Sequence, residues 1–153
     1  MKRKMIGGFS FIEILIVIGI IGILSAIIIY AFSGLRDSFL LRGEKGRVIS
    51  LANDARTKTL SSQNDTAYGI HFDADQAVLF AGGTYATGTI GNEVLLLDDR
   101  IEISSIDLFG GGSDILFKRL TGETDQIGTV EIQIIGNASS TEVITINSNG
   151  GIE

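Results

Sequence analysis

With 153 residues and no cysteine, tryptophan or proline, the chain can form one modest globular unit, and a disulfide scaffold, thiolate metal sites and a cysteine nucleophile are excluded. Its 12 Lys and Arg against 18 Asp and Glu give a net charge of −6, spread unevenly. Residues 1–8 carry Lys2, Arg3 and Lys4 without an acid, whereas residues 60–153 hold three basic against fourteen acidic residues, 3 − 14 = −11, a field that repels a polyanion.

From Phe9 to Phe32 the only formally charged residue is Glu13. Those 24 residues would make a helix of roughly 36 Å, enough to cross a hydrocarbon core of about 30 Å. A buried strand is a rival, because Ile12, Ile14, Ile16 and Ile18 repeat with period two, but strands of this length are rare and lipid excludes an unpaired edge. A secretory signal peptide is a second rival; its apolar core spans only about 7 to 15 residues, so this run is too long. A plain membrane anchor explains everything except Glu13, whose carboxylate costs roughly 2.5 to 3.5 kcal/mol inside an apolar helix and marks a functional candidate or an interfacial residue.

The stretch Lys2-Arg3-Lys4-Met5-Ile6-Gly7-Gly8-Phe9-Ser10-Phe11-Ile12-Glu13, followed by the apolar run, resembles the leader and start of type IV pilins and type II secretion pseudopilins. Its parts are a short basic leader, a terminal Gly, then Phe, a Glu four residues on, and about twenty apolar residues; each part is weak alone and the combination is specific. The resemblance implies that a membrane-bound prepilin peptidase cuts between Gly8 and Phe9 on the cytoplasmic side and methylates the Phe9 amine. It also implies that Glu13 neutralises the amino terminus of a neighbouring subunit during assembly. Physical chemistry is consistent with these roles. Gly8 permits the extended backbone that cleavage needs, and an amine and a carboxylate among Ile and Leu side chains are each costly alone but tolerable as a pair.

The departures from the pattern are mild. Ser10 and Phe11 stand where Thr and Leu are more usual, and Tyr30 stands where many pilins have a proline, so local melting of the helix would have to use Gly19 and Gly22. Basic residues flank the run on both sides, Lys2, Arg3 and Lys4 against Arg36, Arg42, Lys45 and Arg47, so orientation rests on the resemblance. It implies a single-pass protein of the inner membrane with its head outside the cytoplasm.

Residues 36–62 read as an amphipathic continuation of the same helix, with Leu35, Phe39, Val48, Leu51, Ala52 and Ala55 at helical spacing, a kink expected at Gly43 and Gly46, and a stop at Ser61 to Asp65. From Thr66 the periodicity becomes two. Strands are predicted over 67–72, 77–81, 94–97, 100–106, 115–120, 129–135 and 142–147, separated by Asp73-Ala74-Asp75, Gly82-Gly83, Asp98-Asp99, Gly110 to Gly112, Gly122 and Gly136-Asn137. The expected fold is therefore α+β: a long N-terminal helix, membrane-spanning in its first half, packed on a C-terminal head of two small antiparallel sheets. The organisation is a leader over 1–8, a transmembrane or filament-core helix over 9–35, the amphipathic continuation over 36–62 and a β-rich head over 63–153. The head also resembles the globular domain of H-type minor pseudopilins and of competence-associated minor pilins, through Leu51 to Arg56, Tyr68 to Phe72, Ile115-Leu116-Phe117 before Gly122, and Val143 to Ile146 before Gly150.

No catalytic constellation is evident. His71 is the only histidine and sits in an alternating strand as a structural imidazole, there is no Gly-x-Ser-x-Gly elbow, and Gly110 to Gly112 lacks the Lys-Ser/Thr of a phosphate loop. Asp73, Asp75, Asp98 and Asp99 raise a calcium hypothesis, but the ligand run breaks off after Asp75 and solvated turns are favoured. Asn64-Asp65-Thr66 and Asn137-Ala138-Ser139 match the minimal glycosylation sequon. The reading is a structural subunit, a minor pilin or pseudopilin of a type IV pilus-like or type II secretion filament, with no cofactor, metal or enzymatic activity. Its expected partners are prepilin peptidase, other pilin or pseudopilin subunits, the inner-membrane assembly machinery and the lipid bilayer, and not nucleic acid. The alternatives are a major pilus subunit and a membrane-tethered, DNA-capturing minor pilin of a competence system.

Overall fold

No proline interrupts the first sixty residues, and Ser10 stands where a helix needs its N-cap. The computed structural model of the chain describes residues 9–153, and in it one α-helix, α1, runs Phe11–Leu60. The Ser10 carbonyl accepts the first bonds, from the amides of Glu13 at 3.0 Å and Ile14 at 3.2 Å. Past Leu60 the chain turns through Ser62, Asn64 and Asp65 with φ of 51°, 55° and 55°, a left-handed conformation that Asn and Asp tolerate better than other side chains.

The chain divides into two compact units, Met1–Arg36 and Asp37–Glu153. The first, as far as it is described, is the apolar part of α1. Within it the side chains from Phe11 to Ile29 are all exposed, and the helix is long and apolar enough to cross a membrane by length and composition. Gly19 and Gly22 lie in regular helix.

In the second unit α1 buries one stripe, Leu41, Glu44, Val48, Leu51, Ala52, Ala55 and Thr59, at alternating three- and four-residue spacing. Where the sequence leads one to expect a kink, at Gly43 and Gly46, α1 continues unbroken; both glycines face open space between the buried Leu41 and Val48. Seven strands follow: β1 (Tyr68–Asp73), β2 (Gln76–Ala81), β3 (Glu93–Leu96), β4 (Ile101–Leu108), β5 (Asp114–Leu116), β6 (Gly128–Ile134) and β7 (Asn137–Ile146). They form two antiparallel sheets, ordered β3-β2-β1-β5 and β4-β6-β7. Tyr68, Ile70, Phe72, Ala77 and Leu79 from the first sheet and Ile101, Ile103, Val130, Ile132, Ile144 and Ile146 from the second join the α1 stripe in one core.

Two strand boundaries differ from those expected by more than two residues. Strand β5 stops at Leu116 instead of running to Leu120, because the chain reverses there: Lys118 and Gly122 close a turn (Gly122 amide to Lys118 carbonyl, 2.9 Å) and Leu120 takes φ 74°. Strand β7 starts five residues earlier than expected, at Asn137. The hairpin turn is Ile135-Gly136, and Gln133 pairs with Thr141 while Ile134 pairs with Asn137, so Ala138 to Ser140 bulge out of the ladder.

The first sheet is also buried on its far face. Val78 and Phe80 point away from the α1 core, yet each is only 1% exposed. The Phe80 ring lies on Gly69, where a Cβ would come within 2.6 Å of the ring and 2.4 Å of the Ile115 carbonyl oxygen. The end of α1 is tied down by side chains. Thr59 Oγ1 accepts the Tyr68 amide at 2.9 Å and donates to the Ala55 carbonyl at 2.9 Å, and the Arg56 guanidinium donates to the carbonyls of Gly122 at 3.0 Å and Asn149 at 2.9 Å.

Glycine substitutions should therefore act with opposite signs. Gly69→Ala forces a carbon into backbone and ring, and should cost more than about 2 kcal/mol, in the range of overpacked cores. Gly43→Ala or Gly46→Ala places a methyl in open space on a helix and should add about 0.5 to 1 kcal/mol. Urea unfolding of the full chain in detergent, followed on the β-sheet signal, reads both.

Lys58 gives a pH dependence. Its ammonium lies 2.6 Å from Asp54 and 3.3 Å from Glu93, and its pKa is raised above 10.5, first by the hydrogen bond to Asp54 and then by Glu93, against partial desolvation. A raised folded pKa means this contribution is complete below 10.5 and is lost as pH climbs through the elevated value. The melting temperature should fall more steeply above that pH for the wild type than for Lys58→Gln, and parallel curves would remove Lys58 from the account.

Candidate assembly site

Glu13 is the third residue of α1 and the acid of its first turn. The unpaired amides of a helix start favour a carboxylate there by about 0.3 to 1 kcal/mol. Ser10-Phe11-Ile12-Glu13 also has the Ser-x-x-Glu spacing of a capping box, a local role for Glu13 that was present in the sequence and is independent of any partner. Around it Phe9, Phe11 and Ile12 are exposed at 79%, 83% and 60%, so the carboxylate stands on an apolar surface at the helix end. Phe9 precedes the N-cap by one residue, which brings Phe9 and Glu13 to the same end of α1. Gly8 lies outside the described residues.

The other residues singled out by sequence have structural partners. His71 Nδ1 lies 2.6 Å from Asp114 Oδ1 across the β1–β5 pair, and its ring stacks on Tyr85 with centroids 3.9 Å apart and planes 8° from parallel. Tyr85 also meets the edge of Phe80, with centroids 5.8 Å apart. The β2–β3 loop thus covers the far face of the first sheet, with Tyr85 as its anchor. Neither contact could be read locally, since Asp114 is 43 residues from His71 and Tyr85 lies in a loop.

Asp73 accepts its own turn's Ala74 amide at 2.9 Å, and Asp98 accepts the backbone amide and Nε of Arg100, each at 3.1 Å. Asp75, Asp98 and Asp99 meet at one open cleft of about 400 Å³, but among the described residues no group of three or more His, Asp or Glu is arranged to hold a metal. The Gly110 to Gly112 segment is a turn closed by the Gly111 amide on the Leu108 carbonyl at 2.9 Å. The sequon residues Asn64 and Asn137 donate to Tyr68 Oη (3.1 Å) and Ser140 Oγ (3.0 Å).

All basic side chains from Asp37 onward are engaged. Arg42 and Lys45 face Glu142, Arg47 holds the buried Glu44 through both carboxylate oxygens (2.8 and 2.7 Å), and Arg100, Lys118 and Arg119 face Asp98, Asp125 and Asp65. Lys58 and Arg56 have the partners given above. The hydrogen bond to Asp125 raises the Lys118 pKa.

A long N-terminal helix packed through its second half on antiparallel sheets is the α+β architecture of type IV pilins. The crystal structure of the type IV minor pilin FimU of Pseudomonas aeruginosa PAO1 is similar to this chain with a TM-score of 0.54 at 16% sequence identity, over 74% of this chain and 90% of that one. No family model matches the chain, and no curated protein matches it in sequence.

Tyr85→Ala should uncover Val78 and Phe80 and cost about 2 to 3 kcal/mol, below the usual range for a fully buried aromatic because Tyr85 is only half-buried. In proton NMR the His71 ring resonances should move as the stacked ring is lost, and amide exchange should accelerate across residues 82–92. An unchanged His71 spectrum would contradict the stack.

Proposed function

We propose that the chain is a structural, non-catalytic subunit of a pilus-like filament, a minor pilin or a type II secretion pseudopilin, held in the inner membrane by α1 until assembly. The observation that carries this is the coincidence of a pilin fold with an exposed apolar helix whose one charge, Glu13, lies in its first turn. In this reading prepilin peptidase cuts between Gly8 and Phe9, removes three positive charges and methylates the new Phe9 amine. The cleaved terminus is an ammonium beside the positive end of a helix, a mismatch that a carboxylate relieves. Glu13 of one subunit pairs with the Phe9 amine of its neighbour as lipid contacts are exchanged for helix packing, and the β-rich head stays outside the cytoplasm.

Two measurements test it. Intact mass of protein from its own host should correspond to a chain starting at Phe9 with one added methyl, and a start at Met1 or near Ser33 contradicts the reading. Glu13→Leu separates pairing from simple anchoring. As an anchor the variant gains, since it removes an insertion cost of roughly 2.5 to 3.5 kcal/mol. In a buried pair it strands the amine at a cost of roughly 3 to 5 kcal/mol, a hundredfold or greater drop in incorporation. Sheared filament and membrane fractions of wild type, Glu13→Leu and Glu13→Gln, each confirmed as cleaved, should show membrane retention for all three and incorporation lost in the two variants only.

A further inference from the structure

Sheet edges leave backbone N–H and C=O groups unpaired, and folded chains usually cover them. Three of the four edges here carry cover from the chain itself. On β5 the Leu116 amide donates to Gln126 Oε1 (3.2 Å), and on β4 the amides of Ile101 and Ile103 donate to the carbonyls of Asp98 and Ala74 (2.8 Å each). On β7 Lys45 Nζ donates to the Val143 carbonyl (2.7 Å), while Thr145 and Glu153 exchange two backbone bonds (2.7 and 3.1 Å). On β3 Lys58 reaches the Glu93 carboxylate (3.3 Å), but among the described residues no group bonds the outward backbone of Val94 and Leu96.

The register identifies the open groups. The Leu97 amide donates to the Asp75 carbonyl at 3.0 Å, continuing the pairs Leu96↔Gln76, Leu95↔Ala77, Val94↔Val78 and Glu93↔Leu79. Hydrogen-bonded pairs alternate, so Glu93, Leu95 and Leu97 bond to β2 while Val94 and Leu96 turn N–H and C=O to the free side. Val94 and Leu96 are also 53% and 60% exposed, on the face away from α1. Its guards are its four-residue length and Glu93 at one end; it carries no lysine, proline or bulge at Val94 to Leu96. Past Leu96 the edge opens on the 400 Å³ cleft, apolar at Leu96 and Ile135 and acidic at Asp75, Asp99 and Glu102. Glu102 accepts Gln133 Nε2 (2.6 Å); the Asp75 and Asp99 carboxylates have no partner among the described residues.

We propose that the free edge of β3 is a docking site for an extended segment of another protein, with apolar side chains at alternate positions and a Lys or Arg at the end that reaches Asp75 and Asp99. The open N–H and C=O groups select an extended backbone, Val94 and Leu96 select apolar neighbours on one face, and two unpaired carboxylates select a cation. A second copy fits poorly. Pairing of β3 with itself brings no base to Asp99 and sets like-charged strand ends at one seam, where Lys58 and Arg100 are already engaged by Glu93 and Asp98 of their own copy, between units that each carry 8 − 17 = −9 over Asp37–Glu153. This surface does not depend on the filament reading.

The probe is a synthetic peptide, acetyl-KTVTVTK-amide, whose two lysines serve either strand direction, added to the full chain in detergent with amide exchange followed by NMR. Exchange should slow at Val94 and Leu96, while Leu95 and Leu97 are already protected without peptide. A peptide N-methylated at its valines, one with glutamate at both ends, and the variant Val94→Pro should each weaken binding about tenfold or more, the loss of roughly one good polar contact. The Val94 N–H lies outside the ladder, so proline is tolerated there; should the variant unfold, the N-methylated peptide decides without altering the protein. No protection at Val94 and Leu96 in millimolar peptide, or equal binding of the glutamate-ended peptide, overturns the proposal. Protection that appears without peptide, together with a doubled mass in light scattering, overturns it in favour of a second copy.

Discussion

An α-helix with one apolar stripe must bury that stripe, and the arrangement of Asp37–Glu153 follows from this. Leu41, Val48, Leu51, Ala52 and Ala55 present mostly short or medium side chains, and Ile and Val from nine strand positions fill the space against them. Two polar residues sit on the same stripe, and both are satisfied. Thr59 bonds to the backbone at the start of β1, and both carboxylate oxygens of Glu44 accept from Arg47 Nη1. An unpaired carboxylate among these side chains would cost several kcal/mol, so Arg47 matters more to the fold than its partial exposure implies. Over residues 11–29 the same helix buries no stripe. Its apolar residues go all the way round, which is the signature of a helix that finds its surroundings outside its own chain.

How much of this was legible in the sequence depended on the range of the interaction that decides each feature. Helix α1 and the seven strands follow from local periodicity and were readable, as was the division into two antiparallel sheets. Strand β5 was misjudged because Ile115 to Leu120 keeps an extended-looking composition, while its end is set by a reversal at Leu120 and by Gly122 against Arg56, contacts that no local pattern encodes. Gly43 and Gly46 leave α1 unbroken for a related reason: low helix propensity at two solvent-facing positions is outweighed by core contacts on both sides. The double burial of β1 and β2 was hidden because its cover, Tyr85, comes from a loop that sequence treats as punctuation. In the candidate site, Glu13 stands out in the sequence as the one charge of the apolar run, Phe9 follows from the family resemblance, and the N-cap at Ser10 is readable from spacing alone.

Charge shapes the exterior as strongly as periodicity shapes the interior. All eight bases of Asp37–Glu153 are engaged, mostly in exposed pairs worth about 0 to 1 kcal/mol each, so they contribute little to stability. Their larger effect is to leave only carboxylates unspoken for on the surface. Copies of this unit repel one another beyond short range, more so at low salt, and any electrostatic recognition has to bring cations from a partner.

The two roles open to Glu13 differ in size. A helix terminus favours a carboxylate by about 0.3 to 1 kcal/mol, whereas placing one within hydrocarbon costs roughly 2.5 to 3.5 kcal/mol. Capping alone therefore leaves most of that cost unmet wherever the first turn is surrounded by lipid or by apolar helices. The balance requires an opposite charge nearby. Residues 9–35 contain no Lys, Arg or His. The only cation this segment can offer is a free amine at Phe9, on the same chain or on a neighbour, and that amine exists only after the peptide bond from Gly8 to Phe9 is cut. Under the proposed cleavage that amine supplies the opposite charge Glu13 lacks within its own segment, so the Ser-x-x-Glu spacing and the proposed pairing would draw on the same carboxylate.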